Sequence, residues 1–293
     1  MSSTSKKKMV VMYGKGGTAD CGRHAVEVAL EDSAKKDIDE VLVLTQYPEL
    51  LEEANWNCGC PGGHSLSKEQ RQRLQVVKIE DNWKDHTKLV EHFTNATYVV
   101  SAIGNREPWK ELENDWLANV GTIAVVKAMK EAKNCTKRIV IMSSVGVNED
   151  WPPMENIPWN SGKYAMMGMV FMSMGKTSYQ DMCEMEKSVV KEAEDGALDY
   201  LFVRPVGIGP GAIPVGEWVI QKEKYKHLVG YNVAKLDVAR FCVQEAIKPT
   251  YSRRGVVIAS KLTPELSSYY HKYKYFHPGF WLSKDKRDAM NSA

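Results

Sequence analysis

The chain has 293 residues, of which 43% are hydrophobic and 26% charged, with a formal net charge of +2. That length buries a large core without disulfides or structural metals, and the near-neutral balance gives no ground for a nucleic-acid partner. No stretch approaches the run of about 20 apolar residues that spans a bilayer, and "MSSTSKKK" is not followed by the apolar segment of a signal peptide, so the expected setting is cytoplasmic, with 6 scattered cysteines as free thiols.

In chain order, "MVVMY" (9–13) predicts a strand and "RHAVEVALEDSA" (23–34) a helix lying on a sheet, with Ala25, Val26, Val28, Ala29 and Leu30 on its apolar face. "EVLVLT" (40–45) and "LQVVKI" (74–79) read as strands, and "KDHTKLVEHF" (84–93) as a helix. "ATYVVSAIG" (96–104) is a fourth strand, "DWLANVGTIAVVKAMKEAK" (115–133) a long helix and "RIVIMSSVG" (138–146) a fifth strand. "DMCEMEKSVVKEAED" (181–195) is a helix, "LDYLFVRPVGIG" (198–209) a sixth strand with its exit, "LDVARFCVQEAI" (236–247) a helix and "GVVIAS" (255–260) a strand. Alternating strands and helices imply parallel strands with crossover helices. Val- and Ile-rich strands suit burial on both faces. The expected fold is therefore α/β, a Rossmann-type doubly wound parallel sheet with a small C-terminal substrate lobe. The expected domain runs over 1–263, with the lobe drawn from about 147–180 and 210–250, and an aromatic, basic tail follows at 264–293.

The segment "YGKGGTADCGR" (13–23) falls between the first strand and the first helix. A dinucleotide-binding turn there needs one glycine for the tight turn, a second for close approach to a pyrophosphate and a third for helix–strand packing. Gly14, Gly17 and Gly22 can fill these places, although Gly-x-x-Gly-x-x-x-x-Gly is two residues longer than the usual spacing. The extra residues are expected to bulge before the helix starts. The competing reading is a glycine-rich turn without a ligand. The carboxylate that would bind a ribose 2′-hydroxyl is missing from the end of the second strand, Thr45-Gln46-Tyr47, while Lys15 and Arg23 lie in or beside the loop. That combination favours a 2′-phosphate, and so NADP(H) over NAD(H).

The glycine loop, "ATYVVSAIG", "NVGTIAVVKAMKEAKNCTKRIVIMSSVGV", "LDYLFVRPVGI" and "KLDVARFCVQEAI" together resemble the atypical short-chain dehydrogenase/reductases, in particular the NAD(P)H-binding group of NmrA-like and biliverdin reductase B/flavin reductase proteins. The resemblance covers most of 9–260 and leaves out the tail. It implies pyrophosphate at Gly14, Gly17 and Gly22. Adenine would lie near Glu80 or Asp81, and Ala102, Ile103 and Gly104 would pass beneath the adenosine ribose. Ser143 and Ser144 would face the nicotinamide, with Pro205, Val206 and Gly207 flanking its amide.

Many short-chain dehydrogenases use a Tyr-x-x-x-Lys pair, in which the tyrosine exchanges the proton. It is missing here: Tyr164 is followed by Gly168 and Tyr179 by Cys183, and the related lysine position falls near Met182. Ser144 and Tyr179 are the candidate proton donors; a packing tyrosine is the competing reading for Tyr179. The Met- and Trp-rich stretch 151–180 suits a pocket for a planar or apolar ligand, a subunit interface or a lid core alike. Cys58, Cys60 and His64 lack the spacing of common zinc sites and read as an incidental loop. The tail, with Tyr269, Tyr270, Tyr273, Tyr275, Phe276, Phe280 and Trp281, is expected to pack on the body or on a partner subunit. The leading expectation is an NADPH-dependent oxidoreductase that passes hydride to a carbonyl or conjugated small molecule. The alternative is a non-catalytic NADP(H)-binding redox sensor or structural subunit.

Overall fold

The computed structural model describes residues 6–14, 17–52, 66–80, 83–104, 117–145, 147, 176–206, 208, 216–220 and 233–261. The strands are β1 (Lys8–Tyr13), β2 (Glu40–Thr45), β3 (Leu74–Lys78), β4 (Ala96–Ala102), β5 (Arg138–Met142), β6 (Asp199–Pro205), β7 (Trp218–Ile220) and β8 (Arg254–Ser260). The helices are α1 (Gly17–Leu30), α2 (Glu49–Glu52), α3 (Lys68–Gln72), α4 (Val90–Phe93), α5 (Leu117–Glu131), α6 (Lys176–Glu192) and α7 (Lys235–Ile247). The strands form one 8-stranded sheet in the order β3-β2-β1-β4-β5-β6-β8-β7. All neighbours are parallel except β7, which runs antiparallel to β8 at the edge. The sheet is the doubly wound Rossmann type.

Alternation along each strand sends side chains to two separate cores. Met9, Val11 and Tyr13 of β1, with Val41, Val43, Val100 and Ala102, meet Cys21, Ala25 and Val26 of α1 and Val238, Ala239 and Cys242 of α7. Val10 and Met12, with Leu42, Leu44, Val99 and Ile141, meet Val125, Val126 and Met129 of α5 and Met185 and Val189 of α6. Helices therefore cover both faces. α1 packs beside α7, and α5 beside α6.

One expectation needs correction. The notion of a bulge ahead of the first helix fails, because α1 begins at Gly17 and absorbs the extra residues. It ends at Leu30, before a separate 3-10 turn at Asp32–Ala34. Residues 17–22 give no apolar period by which to see the start, and Asp20 sits in the first turn, where the helix dipole favours a carboxylate. Among the described residues of 210–250, β7 extends the sheet at its edge, and α7 buries its apolar stripe against α1, β4 and β5. Most of 147–180 and the 264–293 tail lie outside the described residues, as do Cys58, Cys60 and His64. Among the described residues, no helix is long and apolar enough to cross a membrane.

Candidate functional site

Strand order reverses between β1 and β4, which places the crevice of the sheet above their carboxyl ends. Register brings those ends level: Tyr13 pairs with Thr45 of β2 and with Ala102 of β4. Gly14 follows Tyr13 and lies against Gly104, so close that a Cβ on Gly14 would stand 2.6 Å from the Gly104 carbonyl oxygen and 3.2 Å from its nitrogen. No side chain fits there, and both chains cross the crevice as bare backbone.

Gly22 occupies the packing position. A Cβ there would stand 2.5 Å from Tyr13 Cβ and 3.2 Å from Ala102 Cβ, so α1 rests directly on β1 and β4. Gly22 thus belongs to the helix–sheet contact and does not line the mouth of the loop. Gly17 opens α1, five positions before Gly22. At 1.5 Å per residue, the two additional residues carry the helix start about 3 Å further out than the shorter spacing would. The free N–H groups of a first turn, with the positive end of the dipole, are an anion site.

Charge around that turn is arranged by three side chains. Asp20 bonds Arg23 at 2.5 Å and also the ammonium of Lys235, from the first turn of α7. Arg23 is 6% exposed and Lys235 7%. Burial by itself would raise the Asp20 carboxyl; the cations of Lys235 and Arg23 hold it below the usual range. Arg23 and Lys235 thus both bind the one carboxylate of Asp20. Lys15 lies outside the described residues.

At the end of β2, Thr45 is fully buried and its hydroxyl accepts from Tyr47 N at 3.1 Å. Burial pushes the Tyr13 phenol above its ordinary range. On the other side of β4, Ile103 packs against α5 at Gly121, where a Cβ would lie 3.3 Å from Ile103 Cγ2 and 3.3 Å from Trp83 Cβ. Trp83 is wholly buried in a left-handed backbone conformation, φ 64°. Ala102 and Ile103 thus send their side chains into the two cores, and β4 offers its backbone to the crevice. Glu80 is exposed just beyond β3, and Asp81 lies outside the described residues.

Further along the same edge, Ser143 and Ser144 follow β5 and Pro205 ends β6. Ser143 is 2% exposed, and its hydroxyl donates to Glu186 Oε1 at 2.6 Å. That hydroxyl is turned toward the buried Glu186 carboxylate. Ser144 is half-buried. Val206 is buried and its N–H bonds Ile258 O at 3.1 Å; Gly207 is outside the described residues. Tyr179 is on the first turn of α6, with its side chain outside the described residues.

Four charged groups escape a reading of the sequence. Glu186 lies within the Met182, Met185, Val189 stripe of α6 and pairs with Arg204, which breaks the apolar run of β6. Asp181 is 2% exposed and accepts from Ala118 N and Asn119 N, each at 2.8 Å, so it caps α5. Burial raises its carboxyl in spite of those two donors. Lys235 is the fourth. The available signal is a lone charge at an apolar position, and a single sequence does not show its partner.

The model of a family described as NAD(P)H-binding matches residues 64–249. No curated protein matches the sequence. Among solved structures, the chain is similar to a candidate NAD-dependent epimerase/dehydratase from Bacillus halodurans, with 16% identity over 90% of this chain and 98% of that one and a TM-score of 0.56. A candidate NADH-flavin reductase from Streptococcus pneumoniae shares 14% identity over 87% and 100% of the two chains, TM-score 0.55. The oxidoreductase ylbE from Lactococcus lactis shares 14% over 92% and 98%, TM-score 0.54. These likenesses show the fold. With the family match spanning more than half its length, on a sheet whose switch point is lined by glycine backbone, the chain belongs to the NAD(P)H-binding family.

Proposed function

We propose that the protein is an NAD(P)H-dependent oxidoreductase of the atypical short-chain type, which uses NADPH in preference to NADH to reduce a carbonyl or conjugated small molecule. The observation that carries this reading is the approach of Gly14 to Gly104, which leaves bare backbone at the switch point where any Cβ would clash. The start of α1 at Gly17 supplies N–H donors for a pyrophosphate. The cations of Arg23 and Lys235, gathered on Asp20 beside that turn, support the same end. The lack of a carboxylate at Thr45-Gln46-Tyr47 favours a 2′-phosphate. Structural neighbours named as an NADH-flavin reductase and an oxidoreductase agree with the reaction class.

When bound, the nicotinamide supplies the hydride. The protein's share is placement and a proton. Ser144 and Tyr179 are the proposed proton donors, and the stretch 151–180 is the proposed substrate pocket, suited to a planar or apolar molecule. Met182, at the place of the usual lysine, neither holds nor passes a proton. That favours one rival, a dinucleotide-binding sensor or structural subunit without turnover.

The test is a titration with NADPH and with NADH, read by quenching of tryptophan fluorescence, followed by a screen of quinones, flavins and tetrapyrroles for NADPH oxidation. Tighter binding of NADPH with oxidation of at least one acceptor is the expected result. Binding without turnover selects the sensor. Binding of neither nucleotide overturns both readings.

A further inference from the structure

We propose that Glu186 and Arg204 are a positioning pair that sets the nicotinamide half of the dinucleotide site, by fixing Ser143 and the exits of β5 and β6. This rests on the dinucleotide reading above. Arg204 Nε donates to Glu186 Oε1 at 3.0 Å, its second nitrogen donates to Oε2, and Ser143 donates to the shared Oε1 at 2.6 Å. Glu186 is 1% and Arg204 8% exposed. The sheet makes room for this: a Cβ on Gly255 of β8 would stand 2.5 Å from Arg204 Cζ.

Stability does not explain such a group. The desolvation of a buried ion pair commonly cancels its attraction, and an apolar pair of similar volume is often no less stable. Location gives the better account. Ser143 is the residue after β5, and Arg204 precedes the last residue of β6. The exits above them are joined by Ser143 N to Val203 O at 2.8 Å and Val145 N to Pro205 O at 3.2 Å. One guanidinium–carboxylate unit thus governs two adjacent strand ends and the backbone on either side of Ser144. These ends lie across the switch point from β2. A dinucleotide laid over the crevice has its second nucleotide on that half of the sheet.

The experiment separates the two halves of the ligand. Full-length wild type, Ser143→Ala and the charge-balanced double variant Glu186→Gln/Arg204→Met are titrated with NADH and NADPH, and with ADP-ribose and its 2′-phosphate. The double variant avoids a buried, unpaired cation, which alone can prevent folding. We expect both variants to bind NADH and NADPH about tenfold more weakly and the two ADP-ribose compounds within about twofold of wild type. Equal losses on all four ligands, or none on any, overturn the proposal while leaving the dinucleotide reading intact. A wild type that binds none of them overturns both.

Discussion

Gly22→Ala tests how closely α1 rests on the sheet. Two effects oppose each other. Alanine inside a helix is favoured over glycine by about 1 kcal/mol. Against that, the new methyl would stand 2.5 Å from Tyr13 Cβ, 3.2 Å from Tyr13 Cγ and 3.2 Å from Ala102 Cβ. Ordinary carbon contacts are about 3.5–4.0 Å, so α1 must retreat by roughly 1 Å. The two Cβ atoms are fixed by strand backbone and cannot swing aside. Overpacking of this kind costs typically 1–3 kcal/mol, occasionally more, and here the upper end applies. The net expectation is a loss of about 2 kcal/mol, which lowers Tm by roughly 4–8 °C at this chain size. The displaced helix also withdraws its first turn, so NADH affinity should fall about tenfold. Gly121→Ala is the control: it gains the same propensity but meets only 3.3 Å contacts, one with the terminal Cγ2 of Ile103, and should stay within about 1 kcal/mol of wild type. Urea midpoints and NADH titrations of both variants decide the matter. A Gly22→Ala protein as stable as Gly121→Ala, or one destabilised with unchanged NADH affinity, refutes the reasoning.

Gly14→Ala should lower stability by about 1–3 kcal/mol and weaken NADH, NADPH and ADP-ribose together, because its methyl meets Gly104 backbone at 2.6 Å; isothermal titration with the three ligands is the check. Lys235→Met leaves Asp20 beside the phosphate turn with Arg23 as its remaining cation, and should cost about fivefold in NADH affinity; adding Asp20→Asn should restore it, and a double variant no better than the single would refute the charge argument. Half-buried Asp20 and buried Asp181 act in opposite directions with pH. Asp20 is held below its ordinary 3.8, so its contribution is complete above the unfolded value and fades as pH falls through the lower folded one. Asp181 is held above 3.8, so its ionisation costs stability as pH rises through the folded value. Urea midpoints against pH should show Asp20→Asn flattening the acid fall and Asp181→Asn flattening the loss on the rising side.

The fold was legible where one strong local signal sufficed. Val41–Leu44 is a continuous apolar run, and the structure gives the strand around it the expected bounds, Glu40–Thr45. The start of α1 was not legible, since Gly-Thr-Ala-Asp-Cys has no apolar period and only Ala19 is a strong helix former, and its contact with Tyr13 is tertiary. The helix over 84–93 divides into a 3-10 turn at His86–Leu89 and α4, because Asp85 caps the turn from outside through Thr87 N. At the candidate site, the tight packing of Gly14 and Gly22 is the kind of feature a sequence shows, because a glycine's role is a local backbone one. Ser143 was seen as a strand-end serine, but not its turn inward, since Glu186 is 43 residues away. A sequence shows that a charge stands among apolar residues; it does not show which distant group neutralises it.

The link between Asp20 and Lys235 spans 215 residues. A ribosome adding 5–20 residues each second needs roughly 10–40 s to make that stretch. Through that interval the nascent chain holds Asp20 with Arg23 beside it, three positions on, but without the ammonium from α7. On the proposed reading, a nucleotide meeting the unfinished polypeptide lacks the Lys235 cation beside its phosphates, and the proposed phosphate end is completed late in synthesis, long after its glycines have been made.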